Sequence, residues 1–345
     1  MKIVVYLGTG GVGKTSVAAA TALSRARADA RKSLVITIDP AMRLRTALNL
    51  QGRSLEQHVP LLPPGKGELW AALLDVRATL DDAVNMYAKK GQVDRILNHP
   101  IYAQIADSLV GMQELMAVER IDQLSRRGFE YIVVDTAPSR HAIEFLDKPM
   151  AFADLVGSGW VKLVGRTYQF VARTGMMSLG RKSLDLYARV ESLLGANLVQ
   201  QILDFYSIFV SIAEGYAHRA EKTVALLKDP AITEFRVVTT PQKALRDARF
   251  FFSALKERGF PLGTIYVNRM WPHDASGDGS SKGASALESD VLAWYASVRQ
   301  SHIRAIEQLR KEYNGQPVNI VSLAELERDV DGLGALERIA AQLGG

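Results

Sequence analysis

The chain has 345 residues, of which 48% are apolar and 23% are charged, a composition typical of soluble globular proteins. Its formal net charge of +5 comes from scattered Lys and Arg residues, which argues against a nucleic-acid partner and allows at most peripheral contact with a membrane. It contains no cysteine, which excludes disulfides, thiolate metal sites and thiol nucleophiles. The first residues begin a strand without a cationic and apolar leader, and no run of about 18 apolar residues occurs, so we expect a cytoplasmic protein.

Short β-rich runs alternate with helical patterns along most of the chain. In chain order, the predicted strands are KIVVYL, SLVITID, LWAALLD, YIVVD, FRVVTT, TIYVNRM and VNIVSL. Several are continuous runs of Val, Ile and Leu, which are typical of strands buried on both faces of a parallel sheet. Predicted helices between them include Lys14 to Ala28, Gln113 to Arg126, Ala244 to Arg258 and Ser289 to Glu312. The alternation predicts an α/β fold with an open, doubly wound, mostly parallel sheet.

One long segment breaks this alternation. From about residue 150 to residue 227 no strand pattern occurs, and the sequence predicts an α-helical insertion. This insertion divides the α/β core into a first part, 1–149, and a second part, 228–345. Its methionines include Met150, Met176 and Met177. An apolar stripe of this kind either packs internally or forms an adaptable surface for a partner, and both interpretations stay open.

A glycine-rich loop follows the first predicted strand. Gly8, Gly13, Lys14 and Thr15 satisfy the pattern G-x-x-x-x-G-K-[ST], in a loop that leaves a strand and opens a helix. Glycines allow backbone N–H groups to curl around phosphate oxygens, and the N-terminus of the helix adds positive potential. Lys14 would contact the terminal phosphates of a nucleotide, and the Thr15 hydroxyl would bind Mg²⁺. A glycine turn without a ligand is the alternative interpretation.

Two of the predicted strands end in acidic residues. The stretch ITIDPA places Asp39 at the C-terminal edge of the second strand, and IVVDTAP places Asp135 at the end of a strand expected beside the first. Doubly wound sheets bind their ligands at this edge. We therefore predict that Asp135 orients Mg²⁺ through water and that Asp39 holds an attacking water. Each aspartate could instead cap a helix, the usual role of a single aspartate at a strand end.

The order of these motifs resembles the ArsA family. The similar segments are GTGGVGKTS, DPAMRL, DTAPSRHAIEFL, the run from DPAITEF to IYVNRM, and PVNIVSLAELERDVDGLGAL, which together extend over essentially the whole chain. That family contains arsenical-pump ATPases and the cytosolic ATPases that target tail-anchored membrane proteins. It belongs to a broader class of dimeric ATPases with deviant Walker A loops. The resemblance implies a P-loop NTPase that uses ATP and Mg²⁺ and that is switched by its nucleotide as a dimer.

The resemblance also implies roles for particular residues. It assigns Asp39 to switch I as the catalytic acid, makes Lys14 a catalytic residue at the phosphates, and gives switch II to the stretch from Asp135 to His141. It gives Asn268 the recognition of adenine. The metal ligands that it implies are Thr15 and Asp135. The phosphate-binding residues that it implies are Gly8, Thr9, Gly10, Gly11, Val12, Gly13, Lys14, Thr15 and Ser16.

The loop departs from the family pattern at one position. Family loops usually carry a lysine before the glycine pair, which crosses the dimer interface and touches the partner's ATP, whereas this chain has Thr9. Because threonine carries no charge, we expect the chain to hydrolyse ATP slowly on its own. Alternatively a nearby base compensates, for which the candidates are Arg140, Arg43 and Arg45. Further departures are Met42, where the family often has histidine, and Gln242, where it often has an acid.

The absence of cysteine bears on substrate and assembly. Arsenite capture in the pump ATPases uses thiolates, and the eukaryotic targeting factors clamp their dimer with zinc held by paired Cys-x-x-Cys motifs. This chain has neither kind of ligand, so arsenite is disfavoured and any dimer forms without that metal. The insertion at 150–227 corresponds in place to the region in which targeting ATPases build an apolar groove for a client's transmembrane helix.

Three functions therefore compete. The first is an ATPase that acts as a homodimer and couples hydrolysis to capture or targeting of an apolar membrane-protein client. The second is a hydrolysis-poor scaffold or regulatory subunit that forms a heterodimer with a related ATPase. The third, a partitioning-type ATPase on DNA or membrane, is weakened because the C-terminal stretch LGALERIAAQLGG is short and not cationic.

Overall fold

The apolar runs of the sequence form one β-sheet. The structure, a computed structural model, describes residues 1–28, 30–39, 43–50, 55–61, 67–89, 91–107, 112–138, 140–157, 196–271 and 286–343. Its strands are β1 Lys2–Gly8, β2 Lys32–Thr37, β3 Glu56–Val59, β4 Glu68–Leu73, β5 Tyr131–Asp135, β6 Thr233–Thr239, β7 Leu262–Met270 and β8 Asn319–Ala324. They lie in the order β3-β4-β2-β5-β1-β6-β7-β8, and every neighbouring pair except β3 and β4 is parallel. The predicted mostly parallel α/β fold is confirmed.

Helices alternate with the strands along most of the chain. They are α1 Lys14–Ala28, α2 Arg43–Ala47, α3 Val76–Tyr87, α4 Val93–Leu97, α5 Pro100–Asp107, α6 Met112–Ser125, α7 Arg140–Gly157, α8 Ala196–Lys228, α9 Ala244–Arg258, α10 Ala286–Glu312 and α11 Gly332–Ala340. Helix α1 and helix α9 have the bounds that their sequence patterns predict. Neighbouring parallel strands need a crossover connection, usually a helix, because a tight turn can join only antiparallel strands.

The central strand, β1, is buried along nearly its whole length. It lies between β5 and β6, and all of its residues from Ile3 to Gly8 are buried. Helix α1 packs its small and apolar residues into the same core, among them Val17 and Leu23, which are fully buried. Each fully buried aliphatic side chain of this kind contributes roughly 1.5–3 kcal/mol, so the loop between β1 and α1 is held by two firmly packed elements.

The sequence did not predict β3. This strand has only four residues, EQHV, and pairs antiparallel with β4 at the edge of the sheet. Three of its four residues are only partly buried or exposed, so the strand lacks the continuous apolar run that marks the other strands. Backbone pairing with β4 forms it, and that pairing leaves little trace in a single sequence.

The chain divides into two compact units. The first comprises residues 1–74, 124–143 and 226–345 and contains the whole sheet. The second comprises residues 75–123 and 144–225, and its described residues form helices and turns only. Residues 75–123 thus join the second unit alongside most of the predicted insertion. Residues 158–195 of that insertion, including Met176 and Met177, lie outside the described residues.

Polar contacts tie the helices of the second unit together. The Tyr87 hydroxyl donates to both carboxyl oxygens of Glu119, at 2.8 and 3.0 Å. Arg219 forms an ion pair with Asp122 at 3.0 Å. Glu119 is 1% exposed, and this burial raises the pKa of its carboxyl group. The unit therefore contains a carboxyl group that is easier to protonate than usual.

Most large apolar side chains described in the second unit are buried or partly buried, although Met86 is 46% exposed. Between its helices lies a cavity of about 140 Å³, and its lining residues are Leu80, Ala83, Met112, Leu115, Met116, Phe152, Phe209, Ile212, Ala213 and Tyr216. A void of ~150 Å³ accommodates one benzene molecule, so this cavity is too small for a transmembrane helix. No helix within the described ranges is long and apolar enough to cross a bilayer.

Candidate functional site

The glycine-rich loop adopts a conformation that depends on its glycines. Gly11 and Gly13 have φ angles of 78° and 88°, in the left-handed region that favours glycine. A Cβ atom on Gly13 would lie only 2.3 Å from Nδ2 of Asn268, so a side chain there would also collide with β7. After Gly13 the chain turns into α1, whose first helical bond joins Val17 N–H to the carbonyl of Gly13 at 3.0 Å.

A cavity of about 560 Å³ lies over this loop. Its lining residues are Thr9, Gly11, Val12, Gly13, Lys14, Thr15, Ser16, Arg43, Thr46, Ala47, Pro138, Arg269, Asp329 and Val330. Its volume falls within the roughly 300–1,000 Å³ typical of sites for small ligands and cofactors. Lys14, Arg43 and Arg269 supply three positive charges to the lining, against the single negative charge of Asp329. The lining therefore suits an anionic ligand.

The second half of the loop is tied to the predicted acid of β5. Lys14 Nζ lies 3.0 Å from Oδ1 of Asp135, and it also donates to the carbonyl of Thr136. The Thr15 hydroxyl donates to Oδ2 of Asp135 at 2.8 Å. Asp135 is fully buried, and Lys14 and Thr15 are 5% and 7% exposed. The structure thus brings together the three residues that the sequence assigned to phosphate and Mg²⁺.

Sheet register explains why Asp135 reaches the loop. Asp135 is the last residue of β5 and pairs with Tyr6 of β1 on one side and Thr37 of β2 on the other. The Thr37 hydroxyl donates to Oδ2 of Asp135 at 3.0 Å and accepts the N–H of Asp39 at 3.2 Å. Sequence reasoning missed Thr37, although its place at the end of a buried strand beside Asp39 could have indicated it.

Asp39 lies just beyond the end of β2, at the predicted edge of the sheet. Its side chain is 10% exposed and forms an ion pair with Arg43 at 3.9 Å. Arg43 lines the large cavity, and Arg45 is not among its lining residues. The side chain of Arg140 and all of Met42 lie outside the described residues. Of the two candidate bases whose side chains are described, Arg43 is the one that lines the cavity.

Asn268 lies near the end of β7 and contacts the glycine-rich loop. Its side-chain amide donates to the carbonyl of Val12 at 2.9 Å. It also lines a smaller cavity of about 200 Å³, whose wall includes Arg269 and the segment 323–326. Arg269 has a φ of 61°, a costly conformation for a residue other than glycine. The sequence did not single out Arg269, and nothing in its local pattern indicates a positive φ.

Thr9 is held by a residue that the sequence analysis did not consider. Its hydroxyl donates to Oδ2 of Asp247 at 2.9 Å. The same oxygen accepts the hydroxyl of Thr239, at the end of β6, at 3.0 Å. Asp247 is 2% exposed and lies in the first turn of α9. Gln242, the altered residue before that helix, contacts Nε2 of His302 at 3.2 Å and does not line the large cavity.

The donor chemistry of the site fits Mg²⁺ bound with a phosphate. Thr15 offers a hydroxyl and Asp135 a carboxyl group, and hard oxygen ligands of this kind are what Mg²⁺ prefers. Mg²⁺ commonly binds one or two protein oxygens and completes its coordination shell with water and substrate phosphates. The cavity of about 560 Å³ that Thr15 lines has room for water and for phosphate groups.

Comparison with known proteins agrees with this geometry. The ArsA ATPase family model, described as anion-transporting ATPase, matches residues 1–345. A protein of Aquifex aeolicus (strain VF5), provisionally named arsenical pump-driving ATPase 1, is 22% identical over 99% of this chain and 78% of its own length. ATPase ARSA2 of Chlamydomonas reinhardtii is 25% identical over 97% of this chain and 82% of its own length. ATPase get3 of Schizosaccharomyces japonicus is 27% identical over 55% of this chain and 56% of its own length. The resemblance that the motifs indicated is confirmed, and the chain belongs to the ArsA family of ATPases.

Proposed function

We propose that this chain binds Mg²⁺–ATP in the cavity over residues 8–16 and hydrolyses it. One observation carries the proposal: Lys14 and Thr15 each contact the Asp135 carboxyl group within 3.0 Å, beside a cationic cavity of about 560 Å³. Two residues of this set follow a glycine-rich turn and the third ends a neighbouring strand, an arrangement typical of P-loop nucleotide sites.

In this proposal each side chain has a separate task. Lys14 exchanges its contact with Asp135 for the terminal phosphates, whose negative charge replaces that of the carboxyl group. Thr15 would hold Mg²⁺ directly and Asp135 would hold it through water, and the ion would supply positive charge that offsets the charge of the phosphates. Asp39 orients the attacking water, and Arg43 holds the Asp39 carboxyl group until ATP arrives. Thr37 links the two residues, because its hydroxyl donates to the Asp135 carboxyl group and accepts the backbone N–H of Asp39.

We further propose that the chain works as a dimer and that hydrolysis is slow for the chain alone. Thr9 brings no charge to the site, and its hydroxyl is used within its own chain. Arg43 is the alternative source of a compensating charge, because its side chain is 59% exposed and lines the cavity. Asn268 is proposed to recognise adenine, for which its amide would have to leave Val12.

Two uses of the nucleotide switch remain in competition. In the first, ATP-dependent closure of two chains captures or targets an apolar membrane-protein client through the second unit. In the second, the chain is a hydrolysis-poor scaffold that pairs with a related ATPase and borrows its lysine. The contact of Thr9 with Asp247 favours the second, because it keeps position 9 occupied internally. The family relationship favours the first.

Calorimetric titration with Mg²⁺–ATP tests nucleotide binding directly. Lys14→Ala removes the charge that faces the terminal phosphates, and we expect most of the ATP affinity to be lost. The matched control is Lys222→Ala, which removes an exposed lysine from α8. Equal ATP affinity in wild type, Lys14→Ala and Lys222→Ala would show that the nucleotide site lies elsewhere.

A further inference from the structure

The buried carboxyl group of Asp247 calls for an explanation beyond fold stability. It lies at 2% exposure next to the ends of two parallel strands. Its Oδ2 atom accepts two hydroxyls, one from Thr9 at 2.9 Å and one from Thr239 at 3.0 Å. Burying a carboxyl group is costly unless hydrogen bonds compensate it, and here the two hydroxyls do so. One of these hydroxyls belongs to the phosphate loop.

We propose that Asp247 is a positioning residue for the phosphate loop and that it acts through Thr9. This inference rests on the proposed binding of Mg²⁺–ATP to that loop. The second half of the loop is fixed by Lys14 and Thr15, which both contact Asp135. The first half has no such ion pair in the described structure, and the hydroxyl of Thr9 is the side-chain contact that ties it to β6 and α9. Asp247 thus limits the conformations of the backbone N–H groups that would surround phosphate.

The arrangement is self-contained within the first unit. Arg246 forms an ion pair with the other oxygen of Asp247 at 3.5 Å, but its side chain is 72% exposed, so solvent weakens that ion pair. The hydrogen bonds from the two threonines are therefore the stronger interactions at this carboxyl group. Because β1 and β6 are neighbours in the sheet, the contact joins the ends of two adjacent strands.

A double-mutant cycle on ATP affinity tests this role. Thr9→Val keeps the shape of the side chain and removes its hydroxyl, and we expect ATP to bind about tenfold more weakly, as the loss of one hydrogen bond to an acid predicts. Thr9→Ser keeps the hydroxyl and should restore the affinity. Asp247→Ala should weaken binding by a similar factor, and the double variant Thr9→Val with Asp247→Ala no further, because both remove the same contact.

A matched control separates loop positioning from fold stability. Thr264 on β7 is buried and donates its hydroxyl to Glu234 at 2.8 Å, a threonine–carboxyl contact away from the loop. Thr264→Val should therefore leave the ATP affinity unchanged. Thr9→Val with wild-type ATP affinity would overturn the proposal even if Asp247→Ala failed to fold, and so would full additivity of the two changes. If wild type itself bound no ATP, the proposed function would be at fault, and Lys14→Ala would then bind no differently.

Discussion

Two buried carboxyl groups hold opposite halves of the phosphate loop. Asp135 contacts the second half through the ammonium group of Lys14 and the hydroxyl of Thr15, whereas Asp247 contacts the first half through the hydroxyl of Thr9. The Asp135 side pairs a buried charge with a buried charge, and the Asp247 side relies on neutral hydroxyls. In the proposed function, the Asp135 side exchanges its partner for phosphate, while the Asp247 side keeps its contacts.

The largest expected difference between the two sides is in the free energy of unfolding. Asp135→Ala leaves the ammonium group of Lys14 buried without its partner, which should destabilise the fold by about 3–5 kcal/mol. Asp247→Ala leaves two hydroxyls unpaired and should cost about 1–3 kcal/mol. Urea unfolding of both variants without nucleotide measures the two costs. Equal costs would contradict the distinction between a charged side and a neutral side.

Catalysis should depend on the Asp135 side of the site. Asp39→Asn removes the acid proposed to hold the attacking water, and ATP turnover should fall by about 10²-fold while ATP affinity is retained. Turnover by a coupled assay and affinity by calorimetry measure the two quantities separately. As a control, Asp229→Asn changes a partly exposed aspartate in the turn before β6 and should leave both unchanged. Near-normal turnover of Asp39→Asn would assign the role to another residue.

A lysine at position 9 would test whether the Asp247 carboxyl group retains the side chain that contacts it. Thr9→Lys alone should stay slow, because the new ammonium group would pair with Asp247 in its own chain. In the double variant Thr9→Lys with Asp247→Asn, the lysine loses its ion-pair partner and is free to reach the other subunit. Turnover should then rise by at least about tenfold, within the ~10³-fold that cations supplied in trans contribute. An equal gain from Thr9→Lys alone would show that Asp247 does not retain the lysine.

The smallest expected effect concerns a buried carboxyl group away from the loop. Burial raises the pKa of Glu119 in the folded chain, so between the unfolded and folded pKa values the folded state binds more protons than the unfolded state. Stability from this residue is therefore present at acidic pH and is lost as pH rises through the folded pKa. Glu119→Gln should show a weaker loss of stability from pH 4 to pH 8, as measured by urea unfolding. Parallel curves for wild type and variant would contradict it.

Much of the fold could be predicted because local patterns of apolar residues indicate most of its strands and helices. The buried strands β1 and β5 are uninterrupted apolar runs, and α1 and α9 have clear helical spacing. The edge strand β3 could not be predicted, because four largely polar residues form a strand only through pairing with β4. The joining of 75–123 to the helical unit depends on tertiary packing, which a single sequence does not reveal.

The candidate site was predictable on one side only. The motifs that contain Lys14, Thr15 and Asp135 have a spacing that predicts a phosphate site. The register of the sheet brings these residues together. Asp247 was missed because an aspartate in the first turn of a helix is an ordinary feature that stabilises the helix N-terminus. Its contact with Thr9 spans 238 positions of sequence and depends on β6 lying beside β1.

The central claim, a nucleotide-switched ATPase that is slow because Thr9 brings no charge to a partner's site, is tested most directly by turnover of the purified chain. ATP hydrolysis per chain should be low in dilute solution and should rise with protein concentration as dimers form, and Asp39→Asn should remove it at every concentration. Brisk hydrolysis that does not change with protein concentration would contradict the account, because a single chain would then need no second subunit to reach the transition state.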